Sequence, residues 1–386
     1  MIDLQALKRE FREEYGREPR LFRAPGRVNL IGEHTDYNDG FVMPMAIDYG
    51  TIVAAAARDD RRVRVRSLNR GESFEFALDG ESERQRHIWL DYVEGVARVL
   101  ESRGALLSGA DLLIESDVPV GAGLSSSAAL EISVGLAMLT LSGVEVDRVA
   151  LALAGQRAEH EYVGTMCGIM DQLVVTLGQK SHALLIDCRS LETQAIPLQT
   201  DDVAIVICDS RVKHELASSQ YNVRRAECER AVQLLHEVLP GVRALRDVSV
   251  EEFEKYKERL PEPVRSRCRH VVTEDARTLR AADALRSGDF QEMGRLMLLS
   301  HESLRDDYEV SCFELDKLVE VAMSLGDATL GARMTGGGFG GCTVNLVRRG
   351  ALEKFQEVVA REYNKATQKQ PGIYVVSAAE GAKEQE

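Results

Sequence analysis

Residues 118–131, Val-Pro-Val-Gly-Ala-Gly-Leu-Ser-Ser-Ser-Ala-Ala-Leu-Glu, decide the fold that this sequence predicts. They follow a strand predicted over 110–114 and lead into a long apolar helix predicted over 125–141. A glycine-rich loop that runs into a helix presents free backbone N–H groups and the positive end of the helix dipole, which suits a phosphate group. The lysine of a Walker A loop is absent. The segment predicts a phosphate loop, and the alternative is an ordinary helix capped by its serines.

A second glycine cluster lies at 334–342, Met-Thr-Gly-Gly-Gly-Phe-Gly-Gly-Cys. It formally contains G-x-G-x-x-G, but the pattern predicts that a strand, 342–347, follows it where a dinucleotide-binding loop requires a helix. So many glycines indicate backbone packed close to a ligand or to another loop. A tight structural turn is the alternative.

Polar side chains are concentrated at 23–38, Arg-Ala-Pro-Gly-Arg-Val-Asn-Leu-Ile-Gly-Glu-His-Thr-Asp-Tyr-Asn. Arg27, Glu33, His34 and Asp36 lie among turn residues, so we expect them to converge. Carboxylates beside a histidine suit the hydroxyl groups of a sugar, because each group donates or accepts in a fixed direction. A metal site is a weaker interpretation, since no second histidine or cysteine lies at ligand spacing nearby. A solvated polar turn is the third alternative.

Within the segment 158–172, Asp171 follows an apolar, glycine-interrupted stretch, which should partly bury it. A buried carboxylate needs a cationic or hydrogen-bonding partner to stay ionised, and such groups are often functional. The alternative is an aspartate that caps the next helix.

Composition and charge argue against several classes of partner and location. The chain has 386 residues, 44% of them hydrophobic and 28% charged, and a formal net charge of −14. That excess of acid argues against nucleic acid or an anionic membrane as the main partner. Seven scattered cysteines without a C-x-x-C pair indicate reduced thiols. The N-terminal stretch predicts a charged amphipathic helix without a signal peptide's apolar core, and no apolar run is long enough to span a membrane. We expect a cytoplasmic protein.

The order of predicted elements indicates an α+β protein. Strands and turns are predicted over 22–57, a hairpin over 63–67 and 73–76, and helices over 89–100 and 147–163. The second half begins with a buried strand at 203–208, and 215–300 is mostly helical, followed by a helix at 313–325. We predict two domains, 1–200 and 201–386, with the site in the cleft between them.

Five segments together resemble the GHMP kinase superfamily, and within it the galactokinase family most closely. They read GRVNLIGEHTDYN (26–38), GAGLSSSAALE (121–131), GIMDQ (168–172), SLRDDYEVSC (303–312) and GGGFGGC (336–342). The resemblance implies an N-terminal mixed-sheet domain like domain 2 of ribosomal protein S5 and a C-terminal ferredoxin-like layer. It also implies ATP-dependent phosphorylation of galactose at the C1 hydroxyl with Mg²⁺, and we expect a monomer or weak dimer.

The resemblance also implies residue roles. Asp171 resembles the group that takes the proton from the C1 hydroxyl, and Arg27 its cationic neighbour. The implied galactose contacts are Glu33, His34, Asp36, Gly168, Asp171 and Tyr221. The implied ATP contacts are Gly121, Ala122, Gly123, Leu124, Ser125, Ser126 and Ser127, with Trp89 and Tyr92 beside the adenine. Ser127 and Glu159 resemble the magnesium ligands, although the choice among the three serines stays open, and core packing is an alternative for both aromatic residues.

Other interpretations stay open. A related sugar-1-kinase, for N-acetylgalactosamine or arabinose, would share these motifs. Some galactokinase-like proteins only sense sugar and ATP and lack Ser-Ala in the phosphate loop, whereas 125–129 is complete in this sequence. Lys213 stands where some relatives carry arginine, and it lacks the planar fork needed for a bidentate phosphate contact.

Overall fold

The computed structural model describes residues 2–119, 121–212 and 217–385, so Lys213 lies outside the described residues. The helices are α1 (Leu4–Tyr15), α2 (Leu90–Ser102), α3 (Ser126–Leu141), α4 (Arg148–Ala158), α5 (Met170–Leu177), α6 (Ala217–His236), α7 (Val250–Tyr256), α8 (Val264–Arg286), α9 (Phe290–Asp306), α10 (Phe313–Met323) and α11 (Leu352–Thr367). The strands are β1 (Arg20–Asn29), β2 (Phe41–Val42), β3 (Pro44–Arg58), β4 (Arg62–Ser67), β5 (Glu72–Ala77), β6 (Gly109–Ser116), β7 (His182–Asp187), β8 (Thr193–Pro197), β9 (Val203–Asp209), β10 (Thr329–Thr335), β11 (Cys342–Arg348), β12 (Gly372–Val376) and β13 (Lys383–Gln385).

The first sheet has the strand order β13-β1-β3-β6-β4-β5 and is mixed, because β4 runs parallel to β6 while the other neighbours are antiparallel. Helix α3 packs across β1 and β3, and α2 packs on α3 and α4. Phe22, Val53, Leu112 and Ile132 meet in the core between these layers. The outer strand β13 is joined to β1 by hydrogen bonds of 2.6 and 2.7 Å from Arg20 to Glu384, 364 residues away in sequence.

The second sheet is antiparallel, with the order β10-β11-β9-β12. Strand β9 is buried along its whole length because both of its faces are covered. Ile205 and its alternate neighbours pack towards α8 and α9, whereas Val206 and its neighbours pack towards α10 and α11. Residues of a strand point alternately to opposite faces, so a doubly covered strand reads as one continuous apolar run.

A third sheet, β2-β7-β8, lies beside the helical region formed by α6 to α9. That region has its own core around Phe253, Cys268 and Tyr308. None of the helices in the described parts of the chain is both long and apolar enough to cross a membrane.

The predicted two-domain α+β fold is confirmed, as are the hairpin β4–β5, helices α2, α3 and α10, and strands β6, β9 and β11. Two local predictions were incomplete. Strand β10 was not predicted before the glycine cluster, and the helix predicted over 147–163 changes at Ala158 into a single π-helical turn, Glu159–Val163. The domain boundary near residue 200 stays a prediction.

Candidate active site

The predicted phosphate loop connects β6 to α3. Gly121 and Gly123 have positive φ angles of 78° and 70°, a conformation that glycine adopts without strain. Ala122 and Leu124 are buried, whereas the two glycines are exposed. Arg27 fixes the loop through two hydrogen bonds. Its backbone N–H donates to Leu124 O (3.1 Å), and its Nη1 donates to Gly123 O (2.5 Å). The loop is therefore anchored by its apolar residues and offers its glycine backbone to solvent.

Asp171 and Arg27 form a bidentate ion pair at the base of this loop. Nε and Nη2 of Arg27 donate to the two carboxylate oxygens of Asp171, each over 2.7 Å. The Arg27 side chain is 6% exposed and that of Asp171 28%, so the carboxylate is the part that faces outward. Two parallel charge-assisted bonds fix both the position and the plane of the carboxylate.

Ser125 contributes a third hydrogen bond to Asp171. It precedes α3 with a φ angle of 56°, but its hydroxyl makes no capping bond and instead donates to Asp171 Oδ2. Asp171 itself lies in the first turn of α5, and the residue before that helix, Ile169, makes no side-chain capping bond. The two capping alternatives are therefore wrong for Ser125 and for Asp171, whose side chains bind each other.

Ser127, in the first turn of α3, lies beside Glu159. Glu159 is buried at the start of the π-helical turn, and Ser127 is hydrogen-bonded to its carboxylate. Burial raises the pKa of Glu159 to about 7, although the bond to Ser127 acts in the opposite direction. A carboxylate and a hydroxyl are oxygen ligands that suit Mg²⁺. Among the described residues no group of three or more histidine, cysteine or acidic side chains could hold a metal, so an ion here would need further oxygen ligands from a nucleotide.

A cavity of about 110 Å³ opens in front of Asp171. All the sugar contacts predicted from the sequence line it together with Arg27, although they come from distant parts of the chain. The lining residues are Arg27, Glu33, His34, Asp36, Thr165, Cys167, Gly168, Met170, Asp171, Tyr221, Gly336 and Gly337. Both predicted domains contribute, so the site lies in the cleft between them.

Asp36 lies close against the backbone of Gly168. A side chain at Gly168 would collide with the Asp36 carboxylate, so glycine is needed there for the close approach. Asp36 Oδ1 accepts a hydrogen bond from the backbone N–H of Tyr37 (3.0 Å). Burial, together with the nearby charge of Asp171, raises the pKa of Asp36 to about 7. The carboxylate therefore has few partners within the protein and is well placed to accept hydrogen bonds from a ligand.

The His34 ring packs against the rings of neighbouring tyrosines. Its Nδ1 lies 2.8 Å from the Tyr37 hydroxyl, which is 2.7 Å from the Tyr308 hydroxyl. The ring centroids of His34 and Tyr221 are 5.4 Å apart. Burial lowers the pKa of His34 to about 3, so the imidazole is neutral at physiological pH. Burial also raises the pKa of Tyr221 well above its usual value, so its hydroxyl stays protonated.

The second glycine cluster packs against the phosphate loop. A Cβ atom on Gly336 would lie 3.4 Å from Gly123 O, and one on Gly338 would collide with the carbonyl of Val310. Gly336 also lines the cavity and donates its N–H to Glu33 Oε1 (2.7 Å). The cluster therefore contacts another loop and also borders the cavity in front of Asp171.

Trp89 and Tyr92 border a second cavity of about 160 Å³, which Ser126 and Ser127 also line. Trp89 is 6% exposed, packs edge-on against Phe74 and donates its indole N–H to Glu72 Oε2 (2.6 Å). Core packing therefore accounts for most of the Trp89 surface, although the residue also lines this cavity.

Sequence reasoning missed several residues of these cavities. Thr165, Cys167, Met170 and Gly337 border the first, and Thr51, Ser67, Asn69, Arg70, Ile114, Ser116 and Leu130 border the second. Cys167 directly precedes the GIMDQ segment and Met170 lies within it, so both could have been included for that reason. Ser67 and Asn69 lie where the β4–β5 hairpin begins to turn. In the sequence this position indicates only a turn, because nothing in the sequence shows that β6 lies beside β4.

Family models and curated relatives show which proteins this chain is similar to. The galactokinase galactose-binding signature matches residues 9–57, the GHMP kinase N-terminal domain matches 91–179, and the GHMP kinase C-terminal domain matches 281–365. The chain is 50% identical to a galactokinase of Roseiflexus sp., over 99% of this chain and 97% of that one. It is 52% identical to a galactokinase of Chloroflexus aggregans, over 93% and 91%.

Solved structures give the same result. The structure of Lactococcus lactis galactokinase complexed with galactose superposes with a TM-score of 0.95 at 37% identity, covering 99% of this chain and 100% of that one. Methanococcus jannaschii mevalonate kinase, at 19% identity and a TM-score of 0.64 over 94% and 99% of the two chains, shares the fold. The chain therefore belongs to the galactokinase family of the GHMP kinases.

Proposed function

We propose that this chain transfers the γ-phosphoryl group of ATP to the C1 hydroxyl of galactose, giving galactose 1-phosphate and ADP. The observation that carries the proposal is the position of Asp171, which borders the sugar cavity and is bonded to Arg27 and Ser125 of the phosphate-loop assembly. The galactose assignment rests on the family and on the relative whose structure contains galactose.

The proposed reaction assigns one role to each side of the site. The C1 oxygen forms a bond to the γ-phosphorus while the bond between that phosphorus and the β–γ bridging oxygen breaks, and Asp171 accepts the C1 proton. Arg27 keeps the carboxylate oriented, and its charge stabilises negative charge on the transferring group. Such transfers depend on alignment and electrostatics more than on covalent help, so the fixed carboxylate plane matters most.

The sugar would be held by Glu33, His34, Asp36, Gly168 and Tyr221. The carboxylates accept hydrogen bonds from sugar hydroxyls, and the neutral His34 imidazole can donate one or accept one. Cys167 and Met170 add apolar surface to the cavity wall. A small polar cavity of this kind selects hexoses by the direction of each hydroxyl.

ATP would place its phosphates on residues 121–127 and its adenine near Trp89 and Tyr92. We propose that Ser127 and Glu159 hold the Mg²⁺ that accompanies ATP, because both are oxygen ligands beside the helix N-terminus. When bound, the ion would neutralise phosphate charge. We further propose a monomer or weak dimer in the cytoplasm, which size-exclusion chromatography with light scattering and cell fractionation would test.

A coupled ADP-release assay across a sugar panel tests the function. We expect rapid turnover with galactose and far slower turnover with glucose, N-acetylgalactosamine and arabinose, and phosphorus NMR should place the product phosphate on C1. Preference for N-acetylgalactosamine or arabinose would favour the related sugar-1-kinase. Binding of galactose and ATP without ADP release would favour a non-catalytic sensor, which the complete Ser-Ala sequence of the phosphate loop argues against.

A further inference from the structure

Arg333 is a fully buried arginine in the strand that leads to the second glycine cluster. It lies on β10 and is 0% exposed. Its Nη1 donates to the backbone oxygen of Asn29 (3.1 Å) and lies 3.5 Å from Glu33 Oε1. Its Nε and Nη2 have no hydrogen-bond partner among the described residues. Arg333 therefore places a positive charge inside the protein with only part of its donors used.

Such a residue is a poor choice for stability alone. Burying a guanidinium removes a strongly hydrated charge from water, and each unpaired donor adds to that cost. Replacing a whole buried ion pair by apolar side chains of similar volume is often neutral or stabilising, so a buried charge is weak evidence for a role in stability. Since two donor atoms of Arg333 are unpaired, its charge is better explained by a task at its neighbour, the Glu33 carboxylate.

Glu33 is fixed through one oxygen only. Its Oε1 accepts from the N–H of Gly336 (2.7 Å) and from the Thr335 hydroxyl (3.1 Å), and Arg333 approaches the same atom. No hydrogen bond from the described residues reaches Oε2, and Glu33 lines the sugar cavity. The end of β10 thus holds one oxygen of the carboxylate and leaves the other for a ligand.

The backbone of the same turn is held by the neighbouring helix. Glu274 Oε1 accepts from the N–H groups of Gly32 (2.9 Å) and Glu33 (3.4 Å), and Glu274 is paired with Arg277 (2.8 Å). Side chains of the second domain therefore fix both the main chain and the carboxylate of the sugar-binding turn. Arg333 does not itself line the cavity.

We propose that Arg333 is a positioning residue for galactose binding, which acts through the Glu33 carboxylate and has no contact with the sugar or the nucleotide. This inference rests on the proposed function, in which Glu33 binds the sugar. Removing Arg333 takes away the cation 3.5 Å from the Glu33 carboxylate and leaves that carboxylate held only by the Gly336 N–H and the Thr335 hydroxyl. We expect the loss to weaken galactose binding and not ATP binding, because no residue of β10 lines the cavity beside Trp89 and Tyr92.

The test compares Arg333→Met, Arg333→Lys, Glu33→Gln and the double variant Arg333→Met/Glu33→Gln. We expect Arg333→Met to raise the KM for galactose by about 10- to 100-fold, the range expected for a misplaced binding group, while the KM for ATP changes by less than about twofold. Arg333→Lys keeps the charge but replaces the planar guanidinium by a single ammonium group. We expect it to raise the KM for galactose at least about threefold. In the double variant the KM for galactose should equal that of Glu33→Gln within about twofold, because effects that act through one group do not add.

Arg267→Met is the matched control. Arg267 is also buried, at 2% exposure, but it pairs with Glu227 and Glu309 in the helical region. We expect this variant to lower the melting temperature and to leave both KM values unchanged.

Three results would overturn the proposal: a parent-like galactose KM in Arg333→Lys, a parallel rise of both KM values in Arg333→Met, or additive effects in the double variant. If Arg333→Met does not fold, the lysine variant alone decides. Failure of the proposed function would look different, because the parent itself would not release ADP with galactose.

Discussion

Replacing Asp36 by asparagine should make the protein more stable at neutral pH and less able to use galactose. Asparagine has nearly the same shape, keeps an oxygen that can accept from the Tyr37 N–H (3.0 Å), and still fits against Gly168. It removes the charge and replaces one acceptor oxygen by an NH2 donor. Since burial and the Asp171 charge raise the pKa of Asp36 to about 7 from 3.8, that charge is costly in the folded state.

The size of the effect follows from proton linkage. Below pH 3.8 Asp36 is protonated whether the chain is folded or not, and it has no effect on the pH dependence. Between pH 3.8 and 7 the unfolded chain is ionised while the folded protein retains the proton, so the free energy of unfolding falls by about 1.4 kcal/mol per pH unit. The full cost, about 4 kcal/mol at pH 8, is an upper bound because the carboxylate borders a cavity that solvent can enter.

Urea unfolding at pH 5 and pH 8 measures this directly. The stability gain of Asp36→Asn over the parent should increase by about 1–3 kcal/mol between the two pH values, and any packing cost of the substitution cancels in that difference. Asp59→Asn, which removes an exposed carboxylate, should show no such increase. At the same time kcat/KM for galactose should fall at least about tenfold, since a hydrogen bond to a charged acceptor is worth about 1.5–3 kcal/mol. A gain that is equal at both pH values, or an unchanged kcat/KM, would refute the reasoning.

Three further predictions concern the reacting groups. Asp171→Asn should lower kcat by well over about tenfold while nucleotide affinity, measured by calorimetry, stays near that of the parent; activity within about tenfold would show that Asp171 is not the key group. Ser127→Ala and Glu159→Gln should each raise the Mg²⁺ concentration needed for half-maximal rate and leave galactose affinity without nucleotide unchanged, and a nucleotide complex with both side chains far beyond about 2.1 Å from the ion would contradict this. Tyr221→Phe should reduce the ratio of kcat/KM for galactose to that for glucose, because one buried partner of the axial C4 hydroxyl is lost at a cost of about 1–3 kcal/mol; an unchanged ratio would remove Tyr221 from the discrimination.

The sequence predicted those parts of the fold in which pattern and environment agree. Helix α3 and strand β9 are apolar on every side because they are buried on every side, so a continuous apolar run was sufficient. Strand β10 was missed because Gly331 and Arg333 interrupt its apolar pattern. Both are explained only by tertiary neighbours, namely the close approach of α9 at Gly331 and the Glu33 carboxylate at Arg333.

The sequence allowed us to predict which residues form the candidate site, but not which of them contact each other. Family motifs supplied Arg27, Asp171 and Ser125 separately, whereas their mutual hydrogen bonds require three distant segments to meet. Local rules even favoured the wrong partner for Ser125, because serine before a helix usually caps it. Likewise the π-helical turn at Glu159 has no local signal that distinguishes it from a continued α-helix.

The pairing of β1 with β13 has a consequence for synthesis of the chain. Strand β1 leaves the ribosome well before the partner for its outer edge, since Arg20 and Glu384 are 364 residues apart. Until then the hydrogen-bonding groups on that edge have no strand to bind, and an uncovered edge can pair with a neighbouring chain. Contacts so distant in sequence also slow folding. Nascent chains should therefore need protection of this edge until β13 has been made, and termination before β13 should favour aggregates over a folded fragment.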